Sequence, residues 1–133
     1  VTSSPPSISQ KAAEAALRDG LTLPPGIRED FRRKRDRLVE GLADVPGIDC
    51  PSPPGSFYLF PDVSRLLEEQ GYEKTGDWEL ANLLLEEAGV VTVPGSAFGS
   101  PGHLRMAYLP EEDSLVDAAS RIERTVKKKE WKI

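Results

Sequence analysis

Between Gly89 and Leu109 the chain reads GVVTVPGSAFGSPGHLRMAYL, and this stretch admits few folds. The run VVTV is short, apolar and β-branched, and it stops at Pro94-Gly95, a pair that favours a turn. HLRMAYL then alternates, with Leu104, Met106 and Tyr108 on one face and His103, Arg105 and Ala107 on the other. The apolar face is expected to meet the core. Arg105 is then left at the mouth of a sheet, pointing away from the core and opposite a loop rich in backbone N–H groups. A guanidinium there suits an anion.

The remaining sequence supplies helices and one more strand. Ser7 and Gln10 have the spacing of a capping box, and ISQKAAEAALR continues as a helix up to Gly20. TLPPG breaks the chain. A charged helix is predicted from about Ile27 to Leu42, with Ile27, Phe31, Leu38 and Leu42 along one side. Lys34 and Arg35 interrupt that stripe, so the helix is expected to lie largely on a surface. Its RRKRDR cluster is interleaved with Glu29, Asp30 and Asp36, which makes it a solvated face with i,i+4 pairs. GIDC is a short strand candidate. SFYLF reads as a strand whose two faces, Phe57 with Leu59 and Ser56 with Tyr58 and Phe60, are both expected to be covered. Ser64 is positioned to cap SRLLEEQ, which Gly71 stops. Asp77 is positioned to cap a helix with Ala81, Leu84, Leu85 and Ala88 as its apolar stripe, closed by Gly89. Pro110 and the acids after it open a last helix that buries Leu115, Ala119, Ile122 and Val126. Lys127, Lys128 and Lys129 then complement its negative end. A helical excursion between SFYLF and HLRMAYL predicts an α+β fold, a small mixed or antiparallel sheet covered by helices in an α/β sandwich.

Composition narrows the function classes. With 133 residues the chain is one domain's worth and can bury a core. Charged residues at 29% and hydrophobic ones at 38% fit a globular protein rather than a disordered one. A formal net charge of -5 argues against nucleic acid as a partner. No run approaches the roughly 18 apolar residues of a membrane span, and no stretch resembles a secretory signal. One cysteine, Cys50, and one histidine, His103, rule out an internal disulfide and make the usual structural zinc site untenable. Cys50 reads as a half-buried packing residue, and a cytoplasmic setting is the expectation.

AGVVTVPGSAFG followed by GHLRMAYL resembles the end of the class I pyridoxal-phosphate (PLP) aminotransferases, the aspartate aminotransferase-like group of fold type I. The likeness continues through SSPPSISQKAAEAAL, PPGSFYLFPDV and the last helix, so it covers nearly the whole chain. It implies the C-terminal part of an enzyme: residues 1 to 25 a remnant of the large PLP-binding domain, and 26 to 133 the small domain. It further implies PLP as cofactor, an amino acid and a 2-oxo acid as substrates, the missing large domain as a partner and a homodimeric parent. None of the lysines at 11, 34, 74, 127, 128, 129 and 132 sits in a context like the family's Schiff-base site, which the resemblance places upstream of Val1. The chain alone is therefore expected to be inactive.

By the same resemblance Arg105 grips the substrate α-carboxylate and Phe57 or Tyr58 lies near the site; PGSAFG itself suits a turn whose Phe98 walls the pocket, the loop from Gly95 to Gly99 shaping it. Each residue also has a plainer role. Arg105 suits an edge-strand arginine paired with a local acid, PGSAFG a tight connection, Phe57 and Tyr58 core packing, and His103 a solvated turn. Two other function classes are a non-catalytic carboxylate-binding module using Arg105 and a scaffold without ligand.

Overall fold

The computed structural model describes residues 4–18, 20, 26–128 and 131. The TLPPG break, apart from Gly26, and Lys129 lie outside the described residues. Among the described residues five α-helices and three strands follow one another as α1 (Ser7–Arg18), α2 (Ile27–Ala43), β1 (Tyr58–Leu59), α3 (Ser64–Glu69), α4 (Asp77–Leu83), β2 (Val93–Pro94), β3 (Leu104–Ala107) and α5 (Glu112–Val126). The sheet is antiparallel in the order β1-β3-β2, so the HLRMAYL segment is its centre. Single bridges join Asp62 to Asp49 and to His103 and carry the pairing past the named strands. This is the α+β architecture expected from the sequence.

The alternation of β3 places the core. Leu104, Met106 and Tyr108 are buried, together with Leu59 of β1, while Arg105 stays half-buried on the opposite face. Leu38 and Leu42 of α2 join Leu115, Ala119, Ile122 and Val126 of α5, the apolar stripe expected for the last helix. The two helices pack on each other, and their approach needs Gly41, where a Cβ would stand 2.7 Å from the Ala119 Cβ.

Several local expectations are corrected. α2 does lie along a surface, burying only Lys34, Leu38 and Leu42, but Lys34 is no gap in its stripe: the stem is buried while Nζ reaches Asp30 at 3.3 Å. The arginine-rich cluster does pair within the helix, mostly at i,i+3, as in Arg32–Glu29 and Arg33–Asp30. Arg37 also bridges to Glu112 of α5 at 3.0 Å. In SFYLF only Leu59 is fully covered, and Phe57 and Phe60 are exposed at the sheet's edge. Leu85 is 50% exposed within a π-helical turn, Leu84–Ala88, while Leu80 and Leu83 join Ala81, Leu84 and Ala88 in the buried stripe. Ser64 does not cap α3. Asp62 does, its Oδ1 accepting the Ser64 N–H at 2.8 Å. Partial burial works to raise the Asp62 pKa, but the Ser64 N–H and hydroxyl, with His103 and Lys74 nearby, leave it lowered. At α1 the Gln10 amide bonds to the Pro5 carbonyl and its N–H to the Pro6 carbonyl, so the Ser7 box is not formed. α1 has no buried residue, and Ile8 and Leu17 are 83% and 75% exposed.

Cys50 is half-buried against the core, and burial, aided by Asp49, pushes its thiol up to about 11. The thiolate is the reactive form, so alkylation by iodoacetamide at pH 8 is expected to be slow in the folded chain and at least tenfold faster in urea. Equal rates would contradict the burial. The folded thiol holds its proton more tightly than the unfolded one, so its contribution to stability is complete below the ordinary cysteine range and lost as pH rises towards 11.

Candidate functional site

Sheet register assembles the site. Val93 lies opposite Arg105, and Ala107 lies opposite Tyr58. Arg105 and Ala107 share a face, so Tyr58 is the diagonal neighbour of Arg105, within reach of a long side chain. The guanidinium carbon lies 4.5 Å from the centre of the Tyr58 ring and 4.4 Å from that of Phe98. Aromatic rings attract a guanidinium held over their faces. Its N–H groups lie in the plane, and that rigid fork matches a carboxylate with two parallel bonds. Among the described residues no carboxylate comes within 4.0 Å of the Arg105 nitrogens. Its contacts are rings, not the local acid of the plainer alternative.

Phe98 reaches Arg105 from a short 3₁₀ turn, Gly95–Phe98, that leaves β2 directly. The turn is tightly tied. Gly95 donates to the His103 carbonyl at 2.7 Å, Ser100 to the Gly95 carbonyl at 3.0 Å and Gly99 to the Ser96 carbonyl at 3.1 Å. A Cβ at Gly95 would fall on the Ser100 carbonyl oxygen and stand 2.7 Å from the His103 Cβ and 2.9 Å from its carbonyl oxygen, so only glycine fits. These bonds consume three of the N–H groups that the sequence offered to an anion. Phe98 is the side chain that the turn brings to Arg105.

The remaining bond in the turn comes from a residue read otherwise in the sequence. Asp77 does not cap α4; it is fully buried, and its two carboxylate oxygens accept the Ser96 N–H at 2.8 Å and the Ser96 hydroxyl at 2.8 and 2.9 Å. Nothing in the spacing of residues 77 and 96 signals this tertiary pair. An aspartate before a helical run looks like a cap whichever way it turns.

Phe57 takes a different position. Its ring touches that of Tyr58, with centres 4.3 Å apart, but it lines a groove of about 650 Å³ with Ile27, Phe31, Arg28, Arg35 and Tyr108. Arg105 does not line that groove. Its wall is shaped by Ser56, the one described non-glycine residue with a left-handed backbone (φ 73°), whose carbonyl accepts the Tyr108 hydroxyl at 2.6 Å. His103 stacks on Phe60 at 4.9 Å, and Phe60 meets Phe98 edge-on at 6.4 Å, so a chain of rings leads from the turn to the site. Among the described residues no group of three or more His, Cys, Asp or Glu could hold a metal ion. No described helix is long and apolar enough to cross a membrane.

Comparison with known proteins adds to this geometry. Residues 1–122 match the family described as aminotransferase class I and II. A probable aspartate/prephenate aminotransferase of Aquifex aeolicus is 46% identical over 75% of this chain and 24% of its own length. An aspartate aminotransferase of Streptomyces avermitilis is 44% identical over 84% of this chain and 28% of its own. The crystal structure of the aspartate aminotransferase from Rhizobium meliloti superposes with a TM-score of 0.74 at 36% identity, covering 96% of this chain and 33% of that one. The chain therefore spans about a quarter to a third of the length of the relatives it matches. Sequence and fold agree over almost every described element, and the chain belongs to the class I and II aminotransferase family.

Proposed function

We propose that this chain forms the small-domain part of a PLP-dependent transaminase, in which Arg105 holds the α-carboxylate of the amino acid and of the 2-oxo acid. The observation that carries this is the Arg105 guanidinium, laid over Tyr58 and Phe98 with no acidic partner among the described residues. The names of the relatives favour aspartate as an amino donor. Residues 26 to 133 form the small domain in this reading, and residues 1 to 25 belong to the large one. That division accords with α1 burying no residue while the helices and strands after it share a core. A homodimer belongs to the same reading, most of its interface lying outside this chain.

The residues of this chain fit the substrate and not the cofactor. The N–H groups of Gly95, Ser96, Gly99 and Ser100 are already bonded, so these four amides are not free to cradle a phosphate. Bound PLP would supply the electron sink that lets the Cα–H bond break. Arg105 contributes orientation, fixing the carboxylate so that the bond to be broken meets the reacting centre at a defined angle. Tyr58 and Phe98 flank the guanidinium and help to hold it in place.

The test is amino-group transfer between aspartate and a 2-oxo acid with and without PLP. The longer enzyme carrying this chain is expected to turn over only with PLP, and residues 1–133 alone are expected not to turn over at all. Turnover by residues 1–133 alone would sink the reading, as would a longer enzyme that transfers no amino group.

A further inference from the structure

The geometry points to Asp77 as the positioning residue of the carboxylate site, acting through Ser96 and Phe98 on Arg105; this rests on the carboxylate reading of Arg105. Asp77 is 0% exposed, and among the described residues its carboxylate bonds to one residue, Ser96, which spends both its N–H and its hydroxyl on it. A buried carboxylate is costly unless its oxygens are satisfied, and here α4 satisfies them by holding a loop, leaving its own N-terminus without a side-chain cap. Two residues beyond Ser96 is Phe98, whose ring lies 4.4 Å from the Arg105 guanidinium carbon. The turn between them has little freedom, since Gly95 and Ser100 are bonded across its base. Half-exposed Phe98 has few other constraints, its remaining ring contact being Phe60 at 6.4 Å. Asp77 thus sets where Phe98 stands, and Phe98 with Tyr58 sets where Arg105 holds its guanidinium. Cutting the anchor lets the guanidinium swing away from the orientation that suits a bidentate carboxylate.

The experiment uses the full-length enzyme and maleate, a dicarboxylate without an amino group to transfer. Affinity for maleate and melting temperature are measured for Asp77→Ala, Asp77→Asn, Ser96→Ala, Phe98→Ala, Arg105→Ala and the double variant Asp77→Ala with Phe98→Ala. Leu67→Ala, a fully buried core truncation on α3, serves as the control for lost stability. Asp77→Ala is expected to weaken maleate at least tenfold. Asp77→Asn should cost less than threefold, because its amide can accept the Ser96 N–H and donate to the hydroxyl. Leu67→Ala should stay within twofold even where its melting temperature falls further. Once Phe98 is gone the anchor has nothing to position, so the double variant should bind as Phe98→Ala does. Should Asp77→Ala not fold, Ser96→Ala carries the test, with an expected loss of about threefold or more. The inference is overturned if Asp77→Ala, or Ser96→Ala in its place, leaves affinity within twofold, if Leu67→Ala loses as much, or if the two losses add in full. Unchanged affinity in Arg105→Ala would instead sink the carboxylate reading itself. A loss in Arg105→Ala without one in Asp77→Ala sinks only the positioning role.

Discussion

Replacing Arg105 by alanine is expected to lower kcat/KM of the full-length enzyme for an amino-acid substrate by about 3–5 kcal/mol, on the order of a hundred- to several-thousand-fold. The size follows from what the variant leaves behind. If the proposed site closes into a water-poor cleft, the substrate carboxylate loses its hydration there, and without the guanidinium it is buried and unpaired. Lysine should recover only part of the loss, because a point charge cannot reproduce the two parallel bonds of the fork, nor stack on Tyr58 and Phe98 as a planar group does. The loss is expected mainly in KM if the bond is equally strong in ground and transition states, and in kcat as well if orientation is its larger contribution. Steady-state kinetics of Arg105→Ala and Arg105→Lys measure both.

The second large effect is expected at Gly95. Gly95→Ala places a methyl group on the Ser100 carbonyl and within 2.9 Å of the His103 carbonyl oxygen, and neither is the loose end of a side chain. The turn must open, breaking the Gly95–His103 and Ser100–Gly95 hydrogen bonds that close its base. Overpacking of this kind costs about 1–3 kcal/mol of stability. Because Phe98 rides on the same turn, carboxylate affinity should fall as well, by roughly tenfold if the opening costs the site about 1.4 kcal/mol. A urea midpoint and a binding titration on the same preparation check this. An unchanged midpoint would show that the turn is looser than its bonds indicate.

Some of this site is legible in the sequence for a physical reason. Strand alternation is local, so HLRMAYL alone places Leu104, Met106 and Tyr108 inward and Arg105 outward, and the burial of β3 follows it residue by residue. The stripe of α5 is equally local, and all four of its expected core residues are buried. What the sequence does not display is where groups of mixed character go. Lys34 looks like a gap in a stripe until its stem is seen to fill that gap. Leu85 fits a helical period that a π-helical turn interrupts. Asp77 and Asp62 exchange expected roles with their neighbours: the residue read as a cap anchors a loop, and an unremarked aspartate does the capping. The amides of Gly95, Ser96 and Gly99 in PGSAFG read as part of an anion cradle only while their acceptors are unknown. Each of these depends on contacts between residues far apart in the chain or on backbone geometry that residue types alone do not dictate.

The dependence of the site on Arg105 has its most direct test in the choice between an amino acid and the amine that lacks its α-carboxylate. The ratio of kcat/KM for the two is measured in the wild-type enzyme and in Arg105→Ala. If Arg105 holds the α-carboxylate, the wild type prefers the amino acid strongly, and the variant loses at least a hundredfold of that preference while its rate with the amine changes little. A ratio that survives the substitution would contradict the account and assign the carboxylate to another residue.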